Sequence, residues 1–213
     1  MKKHIFFDLD GTLTDSGPGI MRCAQLALDH FGIPVKSQDQ LRAFVGPPLR
    51  VSFEGYGLDT EQVQEAIQVF RSRYVPIGKF ENEPYPGISG LLSQLREEGH
   101  RLYVATSKPE FLAWDVLEHF QLREYFTEIC GADRKEERDT KDQVISYLLG
   151  KVGKLENVVM VGDTHYDVLG AKAHGIPTIG VTWGYGTAES MKQAGAVSLA
   201  HTMEELHEML THS

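Results

Sequence analysis

Three observations predict an α/β fold, with a doubly wound, parallel, Rossmann-like sheet core and an inserted all-helical cap domain. First, His4-Ile5-Phe6-Phe7 is a short, continuous apolar run that stops at Asp8-Leu9-Asp10-Gly11-Thr12, as a buried parallel strand does at its carboxyl end. Second, helical and strand patterns alternate from about residue 86 onward, the order that builds parallel sheets. Third, residues 16–85 between these parts show helical periodicity and no convincing strand. The expected division is a core of residues 1–15 and 86–213 and a cap of residues 16–85, a small helical bundle of its own.

Asp8 and Asp10 are two apart on extended chain, so their side chains point to one side. Open α/β sheets keep their ligands at this end of the strands. Two carboxylates this close repel, and a cation or a proton belongs between them. Next, Ser16 caps a helix that Pro18 begins, with Ile20, Cys23, Ala24, Ala27, Leu28 and Phe31 on one face. Gly32 and Pro34 end it. Phe44-Val45-Gly46-Pro47-Pro48-Leu49-Arg50 reads as a stiff turn leading into a helix, and Val63, Ala66, Ile67, Phe70 and Tyr74 give a further helical face. Glu83-Pro84-Tyr85-Pro86-Gly87 is a rigid turn that returns the chain to the core.

The core then reads helix (Ile88 to Leu95, closed by Gly99), strand (Leu102 to Ala105, ending in Thr106-Ser107-Lys108-Pro109), helix (Phe111 to Phe120) and short strand (Glu128 to Gly131). A helical face follows at Val144, Ile145, Leu148 and Leu149, after Thr140-Lys141. Val158 to Val161 is a buried strand closing on Gly162-Asp163, followed by a helix through Ala173, a strand at Thr178 to Val181, and a last helix carrying Met203, Leu206, Met209 and Leu210. The run Asp133 to Asp139 reads as a solvated loop. Trp183-Gly184-Tyr185-Gly186 falls beside the crevice, its aromatics expected in packing.

Composition narrows the function classes. The net charge of −9 disfavours binding to nucleic acid polymers, while leaving room for a small anionic substrate held by a few local donors. No apolar stretch approaches a membrane span, and the start of the chain runs directly into a strand, against a signal peptide. Cys23 and Cys130 are far apart and lack metal spacing, as expected of reduced thiols in the cytoplasm. A monomer or weak homodimer is expected.

Polar residues end several strands: Asp8 and Asp10, then Thr106, then Gly162-Asp163-Thr164-His165-Tyr166-Asp167, with Thr140-Lys141 opening a helix between the last two. In this order the motifs resemble those of the haloacid dehalogenase-like superfamily over essentially the whole chain. The resemblance is to its small phosphatases with a helical cap, and the Gly-Pro-Pro-Leu turn is similar to that of the phosphoglycolate phosphatase-like branch. It implies Asp8 as nucleophile and Asp10 as the acid that protonates the leaving oxygen and then deprotonates water. It implies Thr106 and Lys141 as phosphoryl contacts, with Lys108 and Lys135 as competing candidates for the cation. Mg2+ is the implied cofactor, held by Asp8, Asp163, Asp167 and the backbone carbonyl of Asp10. A four-residue spacing on the helix after Asp163 would stack Asp163 and Asp167 on one face. Gly11 and Thr12 are expected to present backbone N–H groups to phosphate, with Ser107 and Arg50 as further substrate contacts; His165 and Tyr166 receive no role. The implied reaction is hydrolysis of a small phosphorylated metabolite, phosphoglycolate-like or a nucleoside monophosphate. A sugar phosphomutase and a non-catalytic phosphate-ligand sensor are the alternatives.

Overall fold

The structure is a computed structural model that describes residues 2–134 and 137–212. Lys135, a competing cation in the sequence reading, and its neighbour Glu136 lie outside the described residues. The chain begins with β1 (His4–Phe7), turns sharply, and forms β2 (Thr14–Asp15). Four helices follow, α1 (Gly17–His30), α2 (Gln38–Leu41), α3 (Leu49–Glu54) and α4 (Thr60–Tyr74), before β3 (Glu83–Pro84). The core resumes with α5 (Ile88–Glu97), β4 (Arg101–Pro109), α6 (Glu110–His119), β5 (Phe126–Ala132) and α7 (Lys141–Val152). It ends with β6 (Val158–Gly162), α8 (His165–Lys172), β7 (Thr178–Val181), α9 (Ala188–Ala194), β8 (Ser198–Ala200) and α10 (Met203–His212).

Six strands form a parallel sheet in the order β5-β4-β1-β6-β7-β8. The chain builds outward from β1 in one direction and then in the other, so the order reverses beside β1, where such sheets bind ligands. Register matters here. Phe7 is level with Val104 on β4 and Val161 on β6, so the polar residues that follow each strand emerge at one height. Alternation along β1 sends Ile5 and Phe7 to one face, packed on α5, α6 and α10, and Phe6 to the other, packed on α7. Helices α1 to α4 gather a third apolar cluster around Cys23, Leu28, Phe44, Phe53 and Phe70. The two passages between core and cap run antiparallel, with Thr14 opposite Pro84 and Asp15 opposite Glu83. Among the described residues, no helix is long and apolar enough to cross a membrane.

Three local expectations change. Ser16 takes the N-cap position but makes no capping hydrogen bond, because its backbone is helical rather than in the extended form from which a capping side chain reaches the first-turn N–H groups. Strand β4 continues through Thr106-Ser107-Lys108-Pro109, with its register to β5 broken between Ala105 and Pro109. Strand β8 and helix α9 were not legible, since three and seven residues are too few to show a period.

Candidate active site

The carboxyl ends of β1, β4 and β6 and the start of α7 converge on a buried group of four acids and two lysines. Asp8 follows β1, and its Oδ1 accepts the Leu9 N–H at 2.7 Å, which fixes its rotamer. Lys141 opens α7, held there by a capping box in which the Thr140 side chain accepts from the Gln143 N–H and the Gln143 side chain accepts from the Thr140 N–H. Its Nζ donates to the Ala105 carbonyl at 2.9 Å and makes ion pairs with Asp8 Oδ1 at 2.7 Å and Asp167 Oδ1 at 2.8 Å. Gly162 and Gly170 make room for this arrangement: a Cβ on the first would strike Asp167, and on the second Lys141.

Asp163 follows β6 directly and is fully buried. Its Oδ1 accepts from Thr12 Oγ1 at 3.0 Å and its Oδ2 from the Tyr185 N–H at 2.8 Å. Two glycines close around it. At Gly11, where φ is +81°, and at Gly184, a Cβ would lie 2.3 Å from Asp163 Oδ2. The expected stacking of Asp163 and Asp167 along one helix is corrected. Asp163 precedes the helix, and Asp167 sits in its first turn, accepting from the N–H and hydroxyl of Thr164 at 2.9 and 2.8 Å. A strand end and a capping box bring the two acids together.

One oxygen from each of Asp8, Asp163 and Asp167 lies within 4.8 Å of the others. Burial pushes the Asp8 carboxyl up to about 7, opposed by Lys141, and the Asp163 carboxyl up to about 8, with Asp167 and Asp8 adding to the rise. The Lys141 ammonium is the reverse case: burial disfavours it, but Asp167 and Asp8 outweigh this and hold it up at about 12. Three carboxylates face one ammonium, and all donors are oxygen. Such a set fits a hard divalent cation of the magnesium type.

Asp10 stands apart from this cluster. Its carboxylate turns toward the cap and is gripped by Lys108 Nζ at 2.7 Å and 2.9 Å, one bond to each oxygen. Its side chain has no place in the acid cluster, in keeping with the expectation that Asp10 would meet a metal through its backbone carbonyl. Lys108 and Lys141 do not compete: each serves a different acid. Lys108 also donates to the Tyr74 hydroxyl of the cap at 2.5 Å. Thr106 is buried, and its Oγ1 accepts the Lys108 N–H at 3.2 Å.

Gly11 and Thr12 do not present N–H groups to a ligand. The tight turn after β1 uses them, Gly11 N–H donating to the Thr14 carbonyl at 2.8 Å and Thr12 N–H to the Leu9 carbonyl at 3.3 Å. Their part is to seat Asp163. A cavity of about 90 Å³ separates cap from core, walled by Phe44, Pro47, Leu49 and Phe70 and floored by Asp10, Ser107 and Lys108. Arg50 stands at its rim, half exposed, and pairs with Glu54 at 3.0 Å. Gly46 in the Gly-Pro-Pro turn lies over Thr164, 3.0 Å from where its Cβ would fall.

Sequence reasoning assigned no site role to Tyr74 or Tyr185. Tyr74 was legible only as a helix-face residue. Tyr185 supplies the N–H to Asp163, its hydroxyl donates to Asp15, and the Arg42 guanidinium covers its ring at 4.7 Å. Trp183 Nε1 donates to the Thr12 carbonyl at 3.1 Å, so this aromatic loop braces the turn that holds Asp163.

Comparison with known proteins follows the same lines. A family model described as haloacid dehalogenase-like hydrolase matches residues 5–181. The tyrosine-protein kinase PtkA of Mycobacterium tuberculosis is 42% identical over 209 residues, 97% of this chain and 72% of that protein. A 5'-nucleotidase of Pseudomonas aeruginosa is 40% identical over 191 residues, 89% of this chain and 86% of that one. A phosphoglycolate phosphatase of Caulobacter vibrioides is 32% identical over 205 residues, covering 93% and 86%. The crystal structure of a predicted phosphatase from Clostridium acetobutylicum superposes with a TM-score of 0.97 at 41% identity, covering 100% of both chains.

Proposed function

This chain belongs to the haloacid dehalogenase-like hydrolase family and is a phosphatase of it, and from that premise we propose that it hydrolyses a small phosphomonoester, phosphoglycolate-like or a nucleoside monophosphate, through an aspartyl-phosphate on Asp8. The observation that carries this reading is the division of labour between the two first acids. Asp8 faces the acid cluster with Lys141, while Asp10 faces the cavity under the cap.

Asp8 Oδ1 is occupied by Leu9 N–H and Lys141, so Oδ2 is the attacking oxygen. Its bond to phosphorus forms as the bond to the leaving oxygen breaks, and Asp10 gives its proton to that oxygen. In the second half Asp10 takes a proton from water, whose oxygen attacks phosphorus and releases Asp8 and inorganic phosphate. Thr106 retains its hydroxyl hydrogen for a phosphoryl oxygen, and Lys141 offsets charge on the transferring group. Asp8, Asp163, Asp167 and the Asp10 carbonyl would hold Mg2+, which supplies positive charge against a doubly negative substrate. Ser107 and Arg50 reach the leaving group from floor and rim. Two buried free thiols, Cys23 and Cys130, support a cytoplasmic setting, where small phosphorylated metabolites are the partners of a monomer or weak homodimer.

The test is a panel of phosphomonoesters with Mg2+, read by released phosphate. Hydrolysis of small members is expected, with none by Asp8→Asn. Turnover by Asp8→Asn at the unmodified rate would rule out the nucleophile. The name of the mycobacterial relative favours a second reading, in which the phosphoryl group passes to a protein hydroxyl. Labelled phosphate moving from ATP into protein tyrosine, with no release from the panel, would select it.

A further inference from the structure

Lys108 has three ammonium hydrogens and three partners: Asp10 Oδ1 at 2.7 Å, Asp10 Oδ2 at 2.9 Å and the Tyr74 hydroxyl at 2.5 Å. All its donors are used within the protein, so it has none left with which to bind substrate. The ammonium is nonetheless buried beside the cavity that receives the leaving group. Its third partner comes from the cap. Tyr74 closes α4, is itself buried, and is seated by Phe70, whose ring centroid lies 5.1 Å away. Gly78 permits this seat, since a Cβ there would fall 2.9 Å from Tyr74 Cδ2. Burial pushes the phenol up to about 12, so it stays neutral and accepts from the ammonium.

We propose that Tyr74 and Lys108 are a positioning pair for Asp10: the cap's hydroxyl holds the lysine against both oxygens of the acid, and protonation of the leaving oxygen is efficient only while the cap supplies that hydroxyl. The proposal rests on the reading of Asp10 as proton donor. The chemistry is unchanged from that reading. Asp10, a carboxylate paired with Lys108 in this structure, takes one proton from solvent on one oxygen and passes it to the leaving oxygen as its bond to phosphorus breaks, while its other oxygen stays with Lys108. What the pair adds is orientation. Without Tyr74 Oη, Lys108 keeps two of three anchors on a flexible stem, and Asp10 loses a fixed direction toward the cavity.

The experiment compares two leaving groups. Both are read in the first half-reaction, as leaving-group release in a single turnover, because the second half needs Asp10 as base whichever ester is used. In that first half an alkyl phosphate needs the proton, whereas p-nitrophenyl phosphate leaves without it. Tyr74→Phe keeps the ring and removes one oxygen. It should lower the single-turnover rate on the alkyl ester about tenfold, the order of one lost hydrogen bond to a charged group, with the half-saturating ester concentration little changed and at most about a threefold loss on p-nitrophenyl phosphate. Lys108→Met should show the same selectivity, at about 100-fold on the alkyl ester, and thermal unfolding of both variants checks that they are folded. Asp10→Asn is the control. If Asp10→Asn is selective for the alkyl ester while the other two lose equally on both esters, the positioning pair is overturned and the reading of Asp10 stands. If Asp10→Asn itself shows no selectivity, the role of Asp10 falls, and the pair with it.

Discussion

Asp163→Asn should stabilise the magnesium-free protein at alkaline pH while impairing hydrolysis. The carboxyl is fully buried, and burial together with Asp167 and Asp8 moves it from 3.8 to about 8. The unfolded chain gives up this proton near pH 4 and the folded chain near pH 8. Between those values the folded state binds more protons, so stability falls as pH rises and levels off above pH 8. At about 1.4 kcal/mol per unit, the full penalty for ionised Asp163 approaches roughly 6 kcal/mol. Asparagine removes it and keeps both contacts: its oxygen accepts the Tyr185 N–H, and its amide donates to Thr12 Oγ1, whose own hydrogen then loses its acceptor and takes back part of the gain. Recovery of only a third of the penalty is about 2 kcal/mol, or about 4–8 °C in Tm for a chain of this size. Thermal unfolding in chelator at pH 5 and pH 8.5 measures it. The gap between variant and unmodified protein should be wide at pH 8.5 and narrow at pH 5. With saturating Mg2+ the order should reverse, because the cluster then has its counter-charge. A variant less stable than the unmodified protein at pH 8.5 in chelator, or a gap independent of pH, would refute the reasoning that this is an uncompensated anionic site.

Four further predictions follow from the same geometry. Asp10→Asn should lower kcat by about two to four orders of magnitude on alkyl phosphates, measured in steady state. Lys141→Met leaves Asp8 and Asp167 without their ammonium, so urea unfolding at pH 8.5 should show a loss of about 3–5 kcal/mol, shrinking toward pH 5 as Asp8 takes up a proton. Gly184→Ala drives a Cβ to 2.3 Å from both Asp163 Oδ2 and the Gly11 carbonyl oxygen, and should weaken Mg2+ binding by calorimetry while costing about 1–3 kcal/mol of stability. Arg50→Ala breaks an exposed pair with Glu54 worth under about 1 kcal/mol, so Tm should hardly move. Its effect belongs in KM, and a rise for phosphoglycolate but not for a phosphomonoester of an uncharged alcohol would identify Arg50 as the contact to a second anionic group.

What the sequence alone determined follows from short-range pattern. A continuous apolar strand ending in Asp8-x-Asp10 placed two carboxylates at the carboxyl end of β1, and the alternation after residue 86 placed Thr106 and Asp163 at strand ends of the same sheet. Each of those inferences needs only a few neighbouring residues. The roles of Gly11 and Thr12 were misread because N–H groups in a tight turn look free until the carbonyls they bond, Thr14 and Leu9, are folded over them. Only the tertiary structure decided which lysine serves which acid. Lys141 meets Asp8 and Asp167 because α7 begins beside β4, and Lys108 meets Asp10 because the irregular end of β4 turns it under the cap. Tyr74 and Tyr185 reach the site across the cap–core boundary and from a loop after β7. No local period signals such contacts: they exist only when separately stable elements are docked, and the docking is set by side-chain packing across the whole molecule.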